Sequence, residues 1–93
     1  MVKNHSITGR RELITGILNN IDNFFTTHNN GEYLSFKELD DSVRNLFING
    51  DVDLIIILDQ LNGQEIIKFE DFKILEFSDE GKEYLSLLNK IRQ

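Results

Sequence analysis

The chain has 93 residues and a net charge of −6, and 40% of its residues are apolar, including seven Phe. That length suits one small domain, and this apolar fraction excludes a chain that is too polar to build a core. Cys is absent, which excludes disulfides and thiolate metal sites, and the sequence has no run of 18 or more apolar residues that would predict a membrane span. These features predict a single-domain cytoplasmic protein.

The basic residues are concentrated at the N-terminus. Residues 1–11 contain Lys3, Arg10 and Arg11 and no acidic residue, whereas the rest of the chain has 16 acidic against seven basic residues. A short basic segment of this kind is typical of a contact with phosphate or with an acidic partner, and also of a solvated terminus. We predict that residues 1–11 form a flexible basic arm and that residues 12–93 form the domain.

The first two helices are predicted by apolar spacing and by a capping signal. Apolar residues recur at helical spacing over residues 9–28, and Asn and Gly at 29–31 are typical of a helix end. The apolar stripe is Leu13, Ile14, Ile17, Leu18, Ile21, Phe24 and Phe25. A short extended segment at 32–34 follows. Ser35 and Glu38 then have the spacing of a capping box, which predicts a second helix over 36–47.

The apolar run 54–58 fits either a helix or a buried strand, because short apolar runs are ambiguous. Leu54, Leu58 and Leu61 recur at helical spacing behind Asp51, a typical N-cap residue. We therefore predict a third helix that extends from Asp51 to about Leu61.

The C-terminal third is predicted to contain a hairpin and a last helix. Two β-rich runs at 65–69 and 73–77 are joined by Glu70 and Asp71, which predicts a β-hairpin. Ser78 then has the position of an N-cap, with acidic residues in the first turn of the helix that follows. The apolar face of this helix is Tyr84, Leu85, Leu88 and Ile91.

The order helix, short strand, helix, helix, hairpin, helix resembles the winged-helix superfamily, in particular its MarR-like and PadR-like regulators. The similarity spans residues 12–91 and is strongest in GEYLSFKEL (31–39), in LDQL (58–61) followed by Ile66 and Ile67, and in ILEFSDEGKEYL (74–85). It implies an α+β fold with a β-hairpin wing. It also implies a homodimer in which Tyr84, Leu85, Leu88 and Ile91 of the last helix pair two subunits, with packing of this helix on its own domain as the alternative.

The charge of residues 51–80 departs from that family. Nine acidic residues oppose only Lys68 and Lys73, a net charge of −7. DNA-binding relatives place polar and basic groups on the outward face of the third helix and on the wing, and a phosphate backbone would be repelled by carboxylates there. We therefore predict a surface that binds protein, with burial of Ile55 and Ile56 in the core as the alternative. The predicted partner-binding residues are Val52, Ile55, Ile56, Asp59, Phe69 and Phe72.

Two other functions remain open. The first is a DNA-binding regulator whose phosphate contacts come from Lys3, Arg10, Arg11, Lys37 and Arg44. The second rests on a repeat between residues 33–39 and 66–72, which resembles the loop ends of an EF-hand pair. The loop positions that bind calcium lack the required carboxylates, so this alternative is a calcium-independent EF-hand pair that binds a partner helix.

The sequence predicts neither an enzyme nor a cofactor, a metal site or a small-molecule substrate. His5 and His28 are isolated, and the sequence has no phosphate-binding glycine loop, nucleophile elbow or zinc-ligand spacing. The adjacent acids at 40–41 and 79–80 are typical of helix surfaces and helix starts rather than of acid–base catalysis. The main prediction is thus a regulatory module that acts through protein contacts.

Overall fold

The computed structural model describes the backbone of residues 2–28, 31–44 and 54–92, and within these ranges the side chains of residues 11–90. The elements of this part are α1 (Val2–Thr27), β1 (Leu34–Ser35), α2 (Phe36–Val43), α3 (Leu54–Gly63), β2 (Ile67–Glu70), β3 (Lys73–Phe77) and α4 (Asp79–Arg92). The predicted α+β class is confirmed. Among the described residues, the helices are too short or too polar to cross a membrane.

Helix α1 is longer than predicted. It begins at Val2, so residues 2–11, which the sequence predicted to be a flexible arm, have helical backbone. Once a helix is nucleated, each added residue gains a hydrogen bond, and no Pro interrupts this segment. The mobility of the segment stays a prediction. Thr15 of α1 is fully buried, and its hydroxyl donates to the Arg11 carbonyl oxygen at 2.8 Å, so this polar group is satisfied within the helix.

The start of α2 has the predicted N-cap at Ser35, and Glu38 reaches back to the Ser35 hydroxyl. The Glu38 backbone N–H donates to Ser35 Oγ at 3.2 Å, and the Ser35 hydroxyl donates to Glu38 Oε1 at 3.1 Å. Leu34 and Leu39, on either side of the cap, are both buried, as expected for a hydrophobic staple. Residues 45–53, which include the predicted end of the second helix and the predicted N-cap Asp51, lie outside the described residues.

The three described strands form one antiparallel sheet in the order β1-β3-β2. Leu34 of β1 pairs with Ile74 of β3, and Ile67 of β2 pairs with Phe77, with an irregularity in register between Lys68 and Phe69. The hairpin is confirmed, but its turn lies at residues 71–72, one position later than predicted. Strand β3 also excludes the EF-hand alternative, which requires a helix where residues 73–77 are extended.

The core lies between α1, the inner face of the sheet and the apolar faces of α2, α3 and α4. Its members are the buried side chains Leu13, Ile17, Leu18, Ile21, Leu34, Leu39, Val43, Leu54, Ile57, Leu58, Leu61, Ile66, Ile67, Ile74, Phe77, Leu85 and Leu88. Residues 54–63 are a helix, as the sequence favoured, because the Leu residues at 54, 58 and 61 lie on one helical face and all three are buried.

Candidate protein-interaction surface

The outward face of α3 is the first part of the candidate surface. Ile57 is 1% exposed and faces the core, whereas its neighbour Ile56 is 54% exposed and Asp59 is exposed beside it. Ile55 is half-buried, so the alternative in which both Ile55 and Ile56 are core residues does not hold for Ile56. Val52 lies outside the described residues. An exposed branched alkyl side chain next to a carboxylate is typical of the margin of a protein interface.

The charge of α3 opposes nucleic acid. Asp59 is the single charged residue in Leu54–Gly63, and this stretch of the sequence has no Lys or Arg. Recognition of guanine in the major groove relies mainly on Arg or Lys donors, and affinity for the backbone comes from cations that neutralise phosphates. Helix α3 thus presents Ile56 and a carboxylate where a DNA-reading helix would present donors.

The hairpin turn is the second part of the surface. Asp71 and Phe72 both have positive φ, 51° and 60°, as the two central residues of a type I′ turn do. The Phe72 side chain is 62% exposed, while Phe69 is half-buried and packs against the core. Of the two Phe residues predicted to bind a partner, Phe72 is therefore the one that the fold presents to solvent.

The rings near this turn form a small aromatic group. The Phe36 N–H donates to the Phe72 carbonyl oxygen at 2.8 Å, and the two rings meet edge to face with centroids 5.9 Å apart. Tyr33 is 46% exposed, and Lys73 Nζ lies 4.8 Å from the centroid of its ring. Tyr33 was not predicted as a surface residue. The sequence nevertheless carried a signal for its exposure. Successive side chains in an extended segment point to opposite faces, so the neighbour of the inward-pointing Leu34 points outward.

Two residues of the predicted dimer interface on α4 are buried in the core of the chain itself, and the interface stays a prediction. Leu85 and Leu88 are 5% and 7% exposed within the chain itself, because α4 packs on α1 and both side chains belong to the core. Tyr84 is half-buried against the same core, and the side chain of Ile91 lies outside the described residues. Among the side chains of α4 that the structure describes, the exposed large apolar one is Leu87, at 57%, which the sequence reasoning missed.

The predicted phosphate-contacting residues do not form one described site. Arg11 on α1 and Lys37 on α2 are exposed, and the side chains of residues 3 and 10 lie outside the described part. Arg44 Nη2 lies 3.3 Å from Asp40 Oδ2 and 3.2 Å from Asp41 Oδ1. These two carboxylates compete directly with a phosphate for the Arg44 guanidinium.

A shallow cleft of about 340 Å³ lies between the C-terminal end of α1, β3 and the start of α4. Its lining residues are Phe25, His28, Gly31, Glu32, Leu75, Glu76, Phe77 and Lys82. His28 Nδ1 lies 2.8 Å from the Phe24 carbonyl oxygen, and the imidazole stacks on the Phe24 ring, so this side chain is held by its own helix. In the described part of the chain, no three His, Asp or Glu side chains are grouped so as to hold a metal ion.

Comparison with protein-family models, with curated proteins and with solved structures gave no match to this chain.

Proposed function

We propose that this protein is a non-enzymatic regulatory module of winged-helix type that acts through protein–protein contacts and forms a homodimer. The winged-helix assignment is supported by the order of the elements and by the sheet order β1-β3-β2, in which a short first strand pairs with the second strand of the hairpin. In this assignment α3 is the helix that enters the groove in DNA-binding members, and the β2–β3 hairpin is the wing.

The observation on which the proposal rests is the outward face of α3. Ile56 is 54% exposed beside Asp59, and no cation lies in residues 54–63. Covering the exposed half of an Ile side chain stabilises a complex by roughly 1 kcal/mol, about half the value for full burial. Placing the same face against DNA would instead remove water from the Asp59 carboxylate and bring it close to negatively charged phosphates, which opposes binding. This surface therefore favours binding of a protein partner over binding of a polyanion.

A DNA-binding regulator is the competing function, and the described cations give it limited support. Arg11 and Lys37 are exposed, but Arg44 already has two carboxylates within 3.3 Å. Non-specific affinity for DNA rises with the number of phosphates that a protein neutralises, and tight binding requires several such contacts. Of the predicted phosphate contacts, the two with exposed side chains outside the Arg44 ion pairs, Arg11 and Lys37, lie on separate helices and supply few of them.

Sedimentation equilibrium tests the homodimer and the surface that forms it. We expect concentration-dependent dimers for the wild-type chain, and monomers for Ile56→Asp, because the substitution places a second carboxylate at the contact. Leu87→Asp is the matched control: Leu87 is equally exposed on α4, and this variant should remain dimeric. Loss of the dimer in Leu87→Asp but not in Ile56→Asp would move the interface to α4 and refute the role of α3.

A mobility-shift assay on random-sequence duplex DNA separates the two functions. We expect no complex at about 50 mM salt, a condition in which phosphate-binding proteins retain high affinity. A complex that forms at that salt concentration, dissociates at about 200 mM and is lost in Lys37→Glu would establish the DNA-binding regulator instead.

A further inference from the structure

The turn of the β2–β3 hairpin combines an exposed ring with a strained backbone. Phe72 has φ 60° and an exposed fraction of 62%, although Gly or Asn is usual at this position of the turn. The Phe36 N–H, which has no partner within its own helix, donates to the Phe72 carbonyl oxygen and fixes the turn to the start of α2. The ring is therefore held outward on a rigid support. Strain of this kind at an exposed position is typical of a functional site.

The aromatic group at this turn already accepts a cation. Lys73 Nζ lies 4.8 Å from the centroid of the Tyr33 ring, which is within the range of a cation–π contact. The Phe72 ring touches Phe36 edge to face, and most of its surface remains open. A second cation can therefore approach Phe72 while Lys73 stays on Tyr33.

The two acidic residues that precede Phe72 in the chain are open as well. Glu70 and Asp71 precede Phe72 in the chain and are both exposed. Among the described side chains, ion pairs were found for Asp40 and Asp41 with Arg44, and neither Glu70 nor Asp71 takes part in one. Lys73 pairs with Glu70 in the strand register, but its ammonium group lies over Tyr33. The turn thus presents a ring and two carboxylates with the same preference for a positive charge.

We propose that the hairpin turn binds an arginine side chain of a protein partner, with the guanidinium stacked on the Phe72 ring and paired with the Asp71 carboxylate. Arginine fits both halves of this site, because its planar guanidinium stacks on aromatic faces and donates two parallel hydrogen bonds to a carboxylate. Lysine offers a compact charge without the planar stacking surface. The site selects partners that present arginine on an exposed segment.

This inference deepens the proposed function and rests on it only in assuming a protein partner. The site lies on the hairpin turn, whereas the proposed homodimer uses α3. Each can fail without the other, because a peptide that binds the turn does not require the chain to form dimers.

An amide-detected NMR titration of the full-length protein tests the site. The probe is a capped tetrapeptide with two adjacent arginines between glycines, and its control has citrulline in place of arginine, which keeps the shape and removes the charge. We expect saturable shifts centred on the amides of Tyr33, Asp71 and Phe72 with the arginine peptide only. Phe72→Ala should weaken binding about two- to fivefold, in line with an exposed cation–π contact.

Two variants that each remove one carboxylate distinguish binding at a specific site from general attraction of the cationic peptide to an acidic protein. Asp71→Asn should weaken binding of the arginine peptide about two- to fivefold, as expected when a guanidinium loses an exposed carboxylate. Glu83→Gln removes the same charge from an exposed position on α4 and should leave the affinity unchanged. Equal losses in these two variants, shifts spread over all acidic segments, or the absence of binding would each overturn the site. Sedimentation of the same samples shows separately whether the homodimer fails.

Discussion

Asn62 of α3 accepts the backbone N–H of Phe69 through its Oδ1 atom at a distance of 3.0 Å. This bond joins the end of α3 to β2, which is an outer strand in the sheet order β1-β3-β2. An edge strand with unpaired N–H groups is a template for another chain, and a side-chain acceptor reduces that risk. The Asn62 amide therefore protects the outer edge of the hairpin at Phe69.

We expect Asn62→Ala to lower the free energy of unfolding by about 1 kcal/mol, the typical net contribution of one hydrogen bond. Urea unfolding followed by circular dichroism measures the change. Lys68→Ala is the control, because Lys68 is an exposed neighbour on the same strand and its loss should alter stability by less than about 0.5 kcal/mol. Equal effects of the two substitutions would show that the Asn62 bond contributes nothing to stability.

Gly81 allows α4 to approach the end of α3 and the sheet. A Cβ atom at this position would lie 2.5 Å from the Ile66 carbonyl oxygen and 2.7 Å from Cε1 of Phe77. Ala normally stabilises a helix relative to Gly, but here it must displace backbone and a core ring. We expect Gly81→Ala to lower the free energy of unfolding by about 1–3 kcal/mol in thermal or urea unfolding.

Gly63 provides the matched control for that substitution. It is also helical, at the end of α3, but a Cβ atom there meets nothing within 4 Å. Gly63→Ala should raise the free energy of unfolding by about 0.4–1 kcal/mol, because Ala reduces the conformational freedom of the unfolded chain. Opposite signs for the two substitutions are the expected result. A neutral or stabilising Gly81→Ala would mean that α4 lies farther from Ile66 than described.

The sequence predicted those elements that have their own local signals. Helical spacing of apolar residues gave α1 and α4, the Ser35–Glu38 spacing gave the start of α2, and the two β-rich runs at 65–69 and 73–77 gave the hairpin. The turn itself was placed one residue early. A type I′ turn needs two positive φ angles, and the sequence places Phe72, a residue with no preference for that conformation, at the second of them.

The candidate surface was harder to predict than the fold, because burial depends on tertiary contacts. Residues 54–58 contain five consecutive apolar side chains, so the run has no polar residue that marks which ones face outward. The same problem affects α4, where Leu85, Leu87 and Leu88 look alike in sequence but only Leu87 is exposed. Periodicity predicts that a helix has an inner face, and only its tertiary packing shows which residues form that face.

Ser78 joins α4 to the segment between α3 and β2. Its Oγ accepts the Gly81 N–H at 2.9 Å, and its hydroxyl lies within donating distance of two carbonyl oxygens, Glu65 at 2.6 Å and Ile66 at 2.9 Å. Loss of an N-cap side chain costs about 1 kcal/mol, and here a tertiary bond is lost with it. We expect Ser78→Ala to lower the free energy of unfolding by about 1.5–2.5 kcal/mol in urea titrations.

Ser35 is the comparison for this effect. It caps α2 through one longer bond, 3.2 Å from Oγ to the Glu38 nitrogen, and its side-chain hydrogen bonds stay within its own helix turn. Ser35→Ala should therefore lower stability by about 0.5–1 kcal/mol. The two losses of stability differ by the contribution of the hydrogen bonds that join Ser78 to the segment between α3 and β2. A loss in Ser78→Ala no larger than that in Ser35→Ala would reduce Ser78 to an ordinary cap.

The strain at Phe72 is measured by comparing two substitutions that both remove the ring. A residue other than Gly in the left-handed conformation lowers the stability of the fold by about 1–2 kcal/mol, whereas Gly adopts this conformation freely. Gly also gives the unfolded chain more freedom, which opposes part of that gain. We expect Phe72→Gly to unfold at higher urea concentration than Phe72→Ala, by about 0.5–1 kcal/mol. A more stable Ala variant would show that φ at this position is negative in solution.

The orientation of α3 is tested by two adjacent residues of the same type, Ile56 at 54% exposure and Ile57 at 1%. Ile57→Ala leaves a cavity in the core and should cost about 2–5 kcal/mol, whereas Ile56→Ala removes a side chain that is largely in water and should cost less than about 1 kcal/mol. Urea unfolding of both variants gives the comparison directly. If the two costs were equal or reversed, α3 would be rotated about its axis, Ile56 would be a core residue, and the protein-binding face proposed for this helix would lose its basis.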